Sequence, residues 1–352
     1  MKKHSLLSSL FLSLTTILIF ACQTKNKNIS TPTPIAESIG VEFLDSLTAS
    51  KVVLVDNSNH IFDRLTALDM CIQMKGDCKT EEPKADILNR YKSSLQNDVS
   101  NFTEDEMKWM GDIWQEAVSL CNVLNKAILP SNIQLIKSKG TYYGNDAFYT
   151  RENTIVIPGN RIEMREREAM LSVMLHEIFH IYSRLNPEKQ KALYELIGFK
   201  SIGDSQKLNI ESPLKERILT NPDGPNFAYA IDLKSKDKTI KCIPIISSTF
   251  PKYTEQKKAF FDYLYFDLFE VREDKKGNWE VISDADGKAM VPDDAMPSFF
   301  DQIKYNTQYI IHPDEILADN FMILALHKKY PDQYPHLNDE GLLLLEQIKN
   351  LL

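Results

Sequence analysis

The sequence predicts an α+β fold, and three observations predict it. Residues 57–129 carry helical periodicity. Two further stretches, 173–182 and 313–326, read as helices that are apolar on nearly every side, the pattern of a buried helix. Around them lie short runs rich in β-branched and aromatic residues, bounded by Asn, Asp, Gly and Pro turns. Residues 39–130 are therefore expected to form a helical N-terminal region. Residues 131–352 are expected to form the domain that holds both apolar helices, with a β-rich insertion at about 199–311.

The chain starts with Lys2 and Lys3, continues with an apolar stretch over 6–20, and reaches Ile19-Phe20-Ala21-Cys22. This is similar to a bacterial lipoprotein signal, which implies removal of 1–21 and acylation of the Cys22 thiol. An uncleaved anchor is disfavoured because Ser8, Ser9, Ser13, Thr15 and Thr16 interrupt an already short span. Residues 22–38 are polar with Pro32 and Pro34, a flexible tether that would hold the domain off the membrane. The expected location is the bacterial envelope, lipid-anchored to the outer membrane and facing the periplasm or the outside. Removal of 1–21 leaves 331 residues and moves the net charge from −8 to −10, since Lys2 and Lys3 leave with it. That acidity, without a Lys/Arg-rich run, argues against a nucleic-acid partner.

Cys71, Cys78, Cys121 and Cys242 remain, an even count that in a secreted context allows two disulfides. Cys71 and Cys78 flank a Lys75-Gly-Asp77 turn and form the natural local pair. No Cys-x-x-Cys occurs, which argues against a structural zinc knot. Thr103 and Glu106 make a capping box, and Met107, Met110, Trp114, Val118, Cys121 and Leu124 follow as the apolar stripe of one helix that ends before Pro130. Residues 133–136 read as a strand, and 147–150 with 154–157 as a hairpin ending at Pro158-Gly159.

Next comes Val173-Met-Leu-His-Glu-Ile-Phe-His-Ile-Tyr182, containing His176-Glu177-x-x-His180. On a helix, residues four apart share a face, so both imidazoles can reach one ion. Glu177 lies about 100° round the same helix, beside the position left open for water. Buried His and Glu need partners, and a metal supplies them. After this helix, Asn186 and Pro187 open another that Gly198 closes. The insertion holds a turn-rich Thr220-Asn-Pro-Asp-Gly-Pro225, strand-like runs at 227–231 and 260–271, a hairpin turn at 274–278, a strand at 279–282 and a further turn at 284–287. Pro313 then opens the second apolar helix, on which Glu315 and Asp319 share one stripe; His312 and Asp314 stand beside them as further candidate ligands. A leucine-rich helix over about 338–352 ends the chain.

His176-Glu177-x-x-His180 on an apolar helix resembles the zincin metallopeptidases, and Glu315-x-x-x-Asp319 resembles the third-ligand helix of the glutamate zincins (gluzincins). Ser183 and Asn186 stand where the metzincin continuation has Gly and His, and no Cys motif precedes His176 as in peptide deformylases. The resemblance covers the two helices and the strand before the first. It implies one zinc ion held by His176, His180 and Glu315, Asp319 orienting His176, and Glu177 as general base and acid in peptide-bond hydrolysis. It also implies an edge strand along the cleft that an extended peptide could join, and a donor to the oxyanion, for which Tyr309 and Tyr229 are the candidates. Three functions are thereby in view: a membrane-tethered peptidase acting on a peptide or protein, a zinc-binding lipoprotein without catalysis, and a metal-free structural envelope protein.

Overall fold

The computed structural model describes residues 40–352, apart from 77, 79–81, 143, 145–146, 204–207, 237, 258, 328 and 331–336. The signal expected at 1–21, Cys22 and the tether at 22–38 lie outside the described residues, as does Asp77 of the turn between Cys71 and Cys78. Gly40–Leu352 form one compact unit with an α+β content of helices and two sheets.

The first sheet runs in the order β1 (Val41–Phe43), β3 (Ile133–Ser138), β5 (Thr154–Pro158), β4 (Tyr149–Arg151). The first three strands are parallel and β4 is an antiparallel edge, while β2 (Val99–Ser100) pairs with the far end of β3. β5 is buried at every residue, as a strand covered on both faces must be. Residues 39–130 are thus not helical throughout, because β1 and β2 join this sheet.

The helices of that region are α1 (Ser46–Val52), α2 (Ile61–Arg64), α3 (Ala67–Gln73), α4 (Lys84–Asn97) and α5 (Glu104–Leu124). α5 opens on its capping box: the Glu106 amide donates to Thr103 Oγ1 at 3.2 Å, and the Thr103 amide to Glu106 Oε2 at 2.8 Å. Its buried stripe is Met110, Ile113, Trp114, Ala117 and Cys121, with Met107, Val118 and Leu124 only partly covered. Cys71 and Cys78 are joined, Cα atoms 5.9 Å apart. The second bridge that the cysteine count allowed does not form: Cys121 in α5 and Cys242 in the second sheet are both free and buried.

After α6 (Gly159–Glu163), α7 (Arg167–Leu185) packs against α5 and α11 (Pro313–His327). α11 is buried almost all round, so its Asp314, Glu315 and Asn320 must find partners inside the protein. α8 (Pro187–Leu196) follows α7, but Asn186 does not cap it; its side-chain amide donates back to the Tyr182 carbonyl at 2.8 Å and closes α7. Gly198, with φ +84°, ends α8 in the left-handed region that glycine tolerates best.

The insertion builds the second sheet, in the order β6 (Phe199–Ser201), β8 (Tyr229–Ser235), β9 (Lys238–Ser248), β10 (Leu264–Glu273), β11 (Trp279–Val281), β7 (Leu208–Asn209). The short α9 (Leu214–Arg217) contacts α3 and β9, and α10 (Met296–Ile303) covers β8. α12 (Asp339–Leu351) buries Leu344, Leu345 and Ile348 and packs on α8 and α11. No described helix is long and apolar enough to cross a membrane.

Candidate metal centre

α7 and α11 lie side by side, and their facing turns bring five acidic or imidazole groups together. His176 and His180 are one turn apart on α7, and Glu315 and Asp319 are one turn apart on α11. Glu315 Oε2 lies 3.0 Å from His176 Nε2 and 3.3 Å from His180 Nε2. The opposite nitrogen of each ring meets a different carboxylate: His176 Nδ1 is 2.9 Å from Asp319 Oδ1, and His180 Nδ1 is 2.6 Å from Asp314 Oδ2. Thr307 Oγ1 donates to Asp319, while Ser183 Oγ and, at 2.7 Å, Tyr194 Oη donate to Asp314. Asn221 Nδ2 donates to Glu315 Oε1 at 2.8 Å, leaving Oε2 directed at the histidines.

This arrangement fits a zinc ion. In a tetrahedral set with bonds of about 2.0–2.1 Å, neighbouring ligand atoms stand about 3.3 Å apart, close to the separations found. A carboxylate at each Nδ1 makes that nitrogen the hydrogen donor, so Nε2 is the one turned to the centre. In metal-free protein, burial opposes charge on His176, but hydrogen bonds to Asp319 and Glu315 outweigh it and push the imidazole up to about 10. Burial likewise opposes charge on His180, which Glu315, Asp223 and Asp314 nevertheless hold well above its ordinary value. Glu315 is held well below the carboxylate range, burial being outweighed by both histidines.

Glu177, one residue after His176, is 4% exposed, and its Oε2 has no hydrogen-bond partner among the described residues. Burial, then the negative charge of Asp223, pushes it up to about 8. Together with His180 and Asp223 it forms a second group whose candidate ligand atoms all lie within 4.8 Å of one another. His180 belongs to both groups, and one ring nitrogen cannot serve two ions. The side chains of His180, Glu315 and Asp223 are at most 5% exposed, whereas His176 and Asp319 reach 12% and 22%. The His176 and Asp319 side of the centre is therefore the more open one, and the Glu177 and Asp223 side, where Asp223 itself is half-buried, is the more covered.

His312 does not turn to the centre: its Nδ1 accepts from the Asp314 amide at 3.1 Å, its Nε2 faces the Asn226 carbonyl at 3.3 Å, and burial lowers its pKa. Asp314 is likewise spent on His180 Nδ1, Ser183 and Tyr194. Tyr309 lies beside the centre, its ring 5.9 Å from that of His176. Burial and then the charges of Glu315, Asp223, Glu177 and Asp319 hold its hydroxyl well above the usual phenol range. Tyr229 instead packs on Tyr194, ring centroids 4.6 Å apart.

Sequence reasoning overlooked Asn221 and Asp223. Its only signal for them was the turn composition of 220–225, which marks a loop without saying where the loop goes. The loop goes to the centre. The Thr220 amide donates to buried Asp69 at 2.8 Å, and Asp223 Oδ1 accepts from the Thr150 amide at 2.8 Å and from the Thr150 hydroxyl. Thr150 is on edge strand β4, so the strand expected to be free for an extended peptide is covered there by the protein's own loop.

No protein-family model, no curated protein and no solved structure matches this chain.

Proposed function

We propose that this chain is a zinc-dependent peptidase, zincin-like in its pair of ligand helices and tethered to the bacterial envelope through acylated Cys22. The observation that supports this reading is the convergence of His176 Nε2, His180 Nε2 and Glu315 Oε2 beside the buried, unpartnered carboxylate of Glu177. Zinc held by those three groups would supply a Lewis acid that polarises a carbonyl and makes a water more acidic. Glu177 takes a proton from the attacking water and returns it to the leaving amine. Without metal, burial and Asp223 make Glu177 keep its proton at neutral pH; the positive charge of bound zinc would favour the carboxylate form that takes the water's proton. Asp319 and Asp314 keep the two rings facing the centre, Asn221 fixes Glu315, and Tyr309, its ring 5.9 Å from that of His176, would be the donor to the developing oxyanion.

A zinc-binding protein without catalysis is the second reading. The closeness of Asp223 to His180 favours it, because a fourth protein ligand at the ion is a feature of closed sites.

Zinc content and turnover decide between them. The full-length chain in detergent is expected to hold one zinc that Glu315→Ala largely loses, and to cleave members of a peptide library. Glu177→Gln is expected to keep the zinc and lose turnover. Wild-type protein that binds zinc yet cleaves nothing would favour the closed site, and protein that takes up no zinc would remove both readings.

A further inference from the structure

The segment 220–226 is built as a wall. Thr220 is held by Asp69, the Ile218 carbonyl accepts from Thr66 Oγ1 at 3.0 Å, Asn221 donates to Glu315, and the Asn226 carbonyl faces His312. Gly224 lies so close to the His312 ring that a Cβ there would stand 2.2 Å from Nδ1. Anchors on α3, α11 and β4 leave this loop little freedom to swing away. The side of the centre carrying Glu177 and Asp223 is therefore a permanent end, and an extended chain cannot run past it along β4.

What stands at that end is charge. Glu177, Asp223, Asp314, Glu315 and Asp319 are five carboxylates around the two histidines. A divalent ion and Arg184, 3.6 Å from Asp223 Oδ1, leave two of the negative charges unmatched. Asp223 Oδ1 is engaged by Thr150 and Arg184, and its other oxygen has no hydrogen-bond partner among the described residues. Beside it lies Glu177, with one oxygen unpartnered. An end walled by this loop and carrying surplus negative charge is complementary to a cation small enough to fit against the reacting carbonyl.

We propose that Asp223 is a substrate-binding residue that receives the free α-ammonium group of a peptide's first residue, so that the centre removes N-terminal residues instead of cutting within chains. This rests on the peptidase reading above and deepens it. The distances suit the assignment. An N-terminal nitrogen is two bonds from its own carbonyl carbon, about 2.5 Å away, so with that carbonyl at the centre the ammonium falls within reach of a carboxylate a few ångströms off. Asp223, with a carboxylate oxygen within 4.8 Å of a ring nitrogen of His180, is such a carboxylate. The remainder of the peptide then leaves by the more exposed His176 and Asp319 side.

The test compares matched peptides that differ only in a free or acetylated N-terminus, using the zinc-loaded full-length chain. It also measures calorimetric binding of an amino-acid hydroxamate and its N-acetyl form. Wild type is expected to favour the free amine in both, by on the order of ten- to a hundredfold, the worth of one charge-assisted hydrogen bond. Asp223→Asn, whose amide oxygen can still accept from Thr150, is expected to erase that preference chiefly through KM. Equal use of the two termini by wild type, or a preference that survives in Asp223→Asn, would overturn the assignment while leaving the peptidase reading intact. Failure to bind zinc and to cleave either peptide would overturn both.

Discussion

His180 depends on a carboxylate that serves three donors at once. Asp314 accepts from His180, Ser183 and Tyr194, and although burial opposes its charge, these bonds and the histidine's charge hold it below the usual carboxylate range. Neighbouring residues on a helix point about 100° apart, so Glu315 can face the Nε2 side of the histidines while Asp314 reaches round to an Nδ1. The sequence offers both as acids at the start of one helix, and a single-residue difference in heading, invisible without the partner helix, decides which faces the Nε2 atoms and which backs the His180 Nδ1. Asp314→Asn is expected to weaken zinc binding by about ten- to a hundredfold and to lower the melting temperature as well. Asp319→Asn, at a more exposed position, should weaken zinc binding with a smaller loss of stability. Competition with a chromophoric chelator, alongside thermal unfolding, would check both, and a stronger thermal effect at Asp319 would refute the ranking. Gly224 is required for space and not for its backbone angle. Gly224→Ala forces the His312 ring or the loop to move and should destabilise by about 1–3 kcal/mol, readable by denaturant unfolding.

At the scale of elements, α3 links the disulfide to the wall of the centre. Cys71 lies on this helix, as does Asp69, which accepts from Gln73 at 2.7 Å and from the Thr220 amide. Burial pushes Asp69 from 3.8 up to about 6. A carboxyl whose folded pKa is raised keeps its proton where the unfolded chain has lost it, so its contribution to stability falls as pH rises from about 4 to 6, by at most about 3 kcal/mol. The melting temperature of wild type relative to Asp69→Asn should therefore decline across that interval and level off above it; a pH-independent difference would show that Asp69 does not carry this proton. Legibility also varied from element to element. The capping box of α5, the hairpin of β4 and β5 and the Pro313 start of α11 could be read because each is specified by neighbours in sequence. β9, the longest strand, escaped notice because Pro244 lies within it, and proline is out of place in a central strand. The ladder explains the exception: β8 pairs only with residues 238–242 and β10 with 242–248, so at Pro244 just one side of the strand has a partner strand.

For the molecule as a whole, the centre joins parts of the chain that are far apart in sequence. Glu315 meets His176 across 139 positions, and Asn221 reaches Glu315 across 94. The two helices that carry the candidate ligands are legible because each holds its His and acidic residues at a fixed local spacing. The route of 220–226 between them could not, because it depends on how the second sheet is set against α3 and α11. Such a centre is costly without its ion. Metal-free protein must bury several carboxylates against histidines, and it does so by retaining protons: His176 is pushed up to about 10 and Glu177 up to about 8. At neutral pH both still hold a proton, and His176 must give up one to bind zinc. Zinc binding should accordingly release protons at pH 7 and tighten as pH rises, and calorimetry in buffers of differing ionisation enthalpy would count them. On the proposed reading zinc binds the folded chain and not the unfolded one, so saturation at about a thousand times Kd should add about 4 kcal/mol to stability, and a chelator should reverse that gain. A chain whose unfolding is indifferent to zinc and chelator would mean that the helix pair holds its acids by protonation alone, and the case for a metal centre would fall with it.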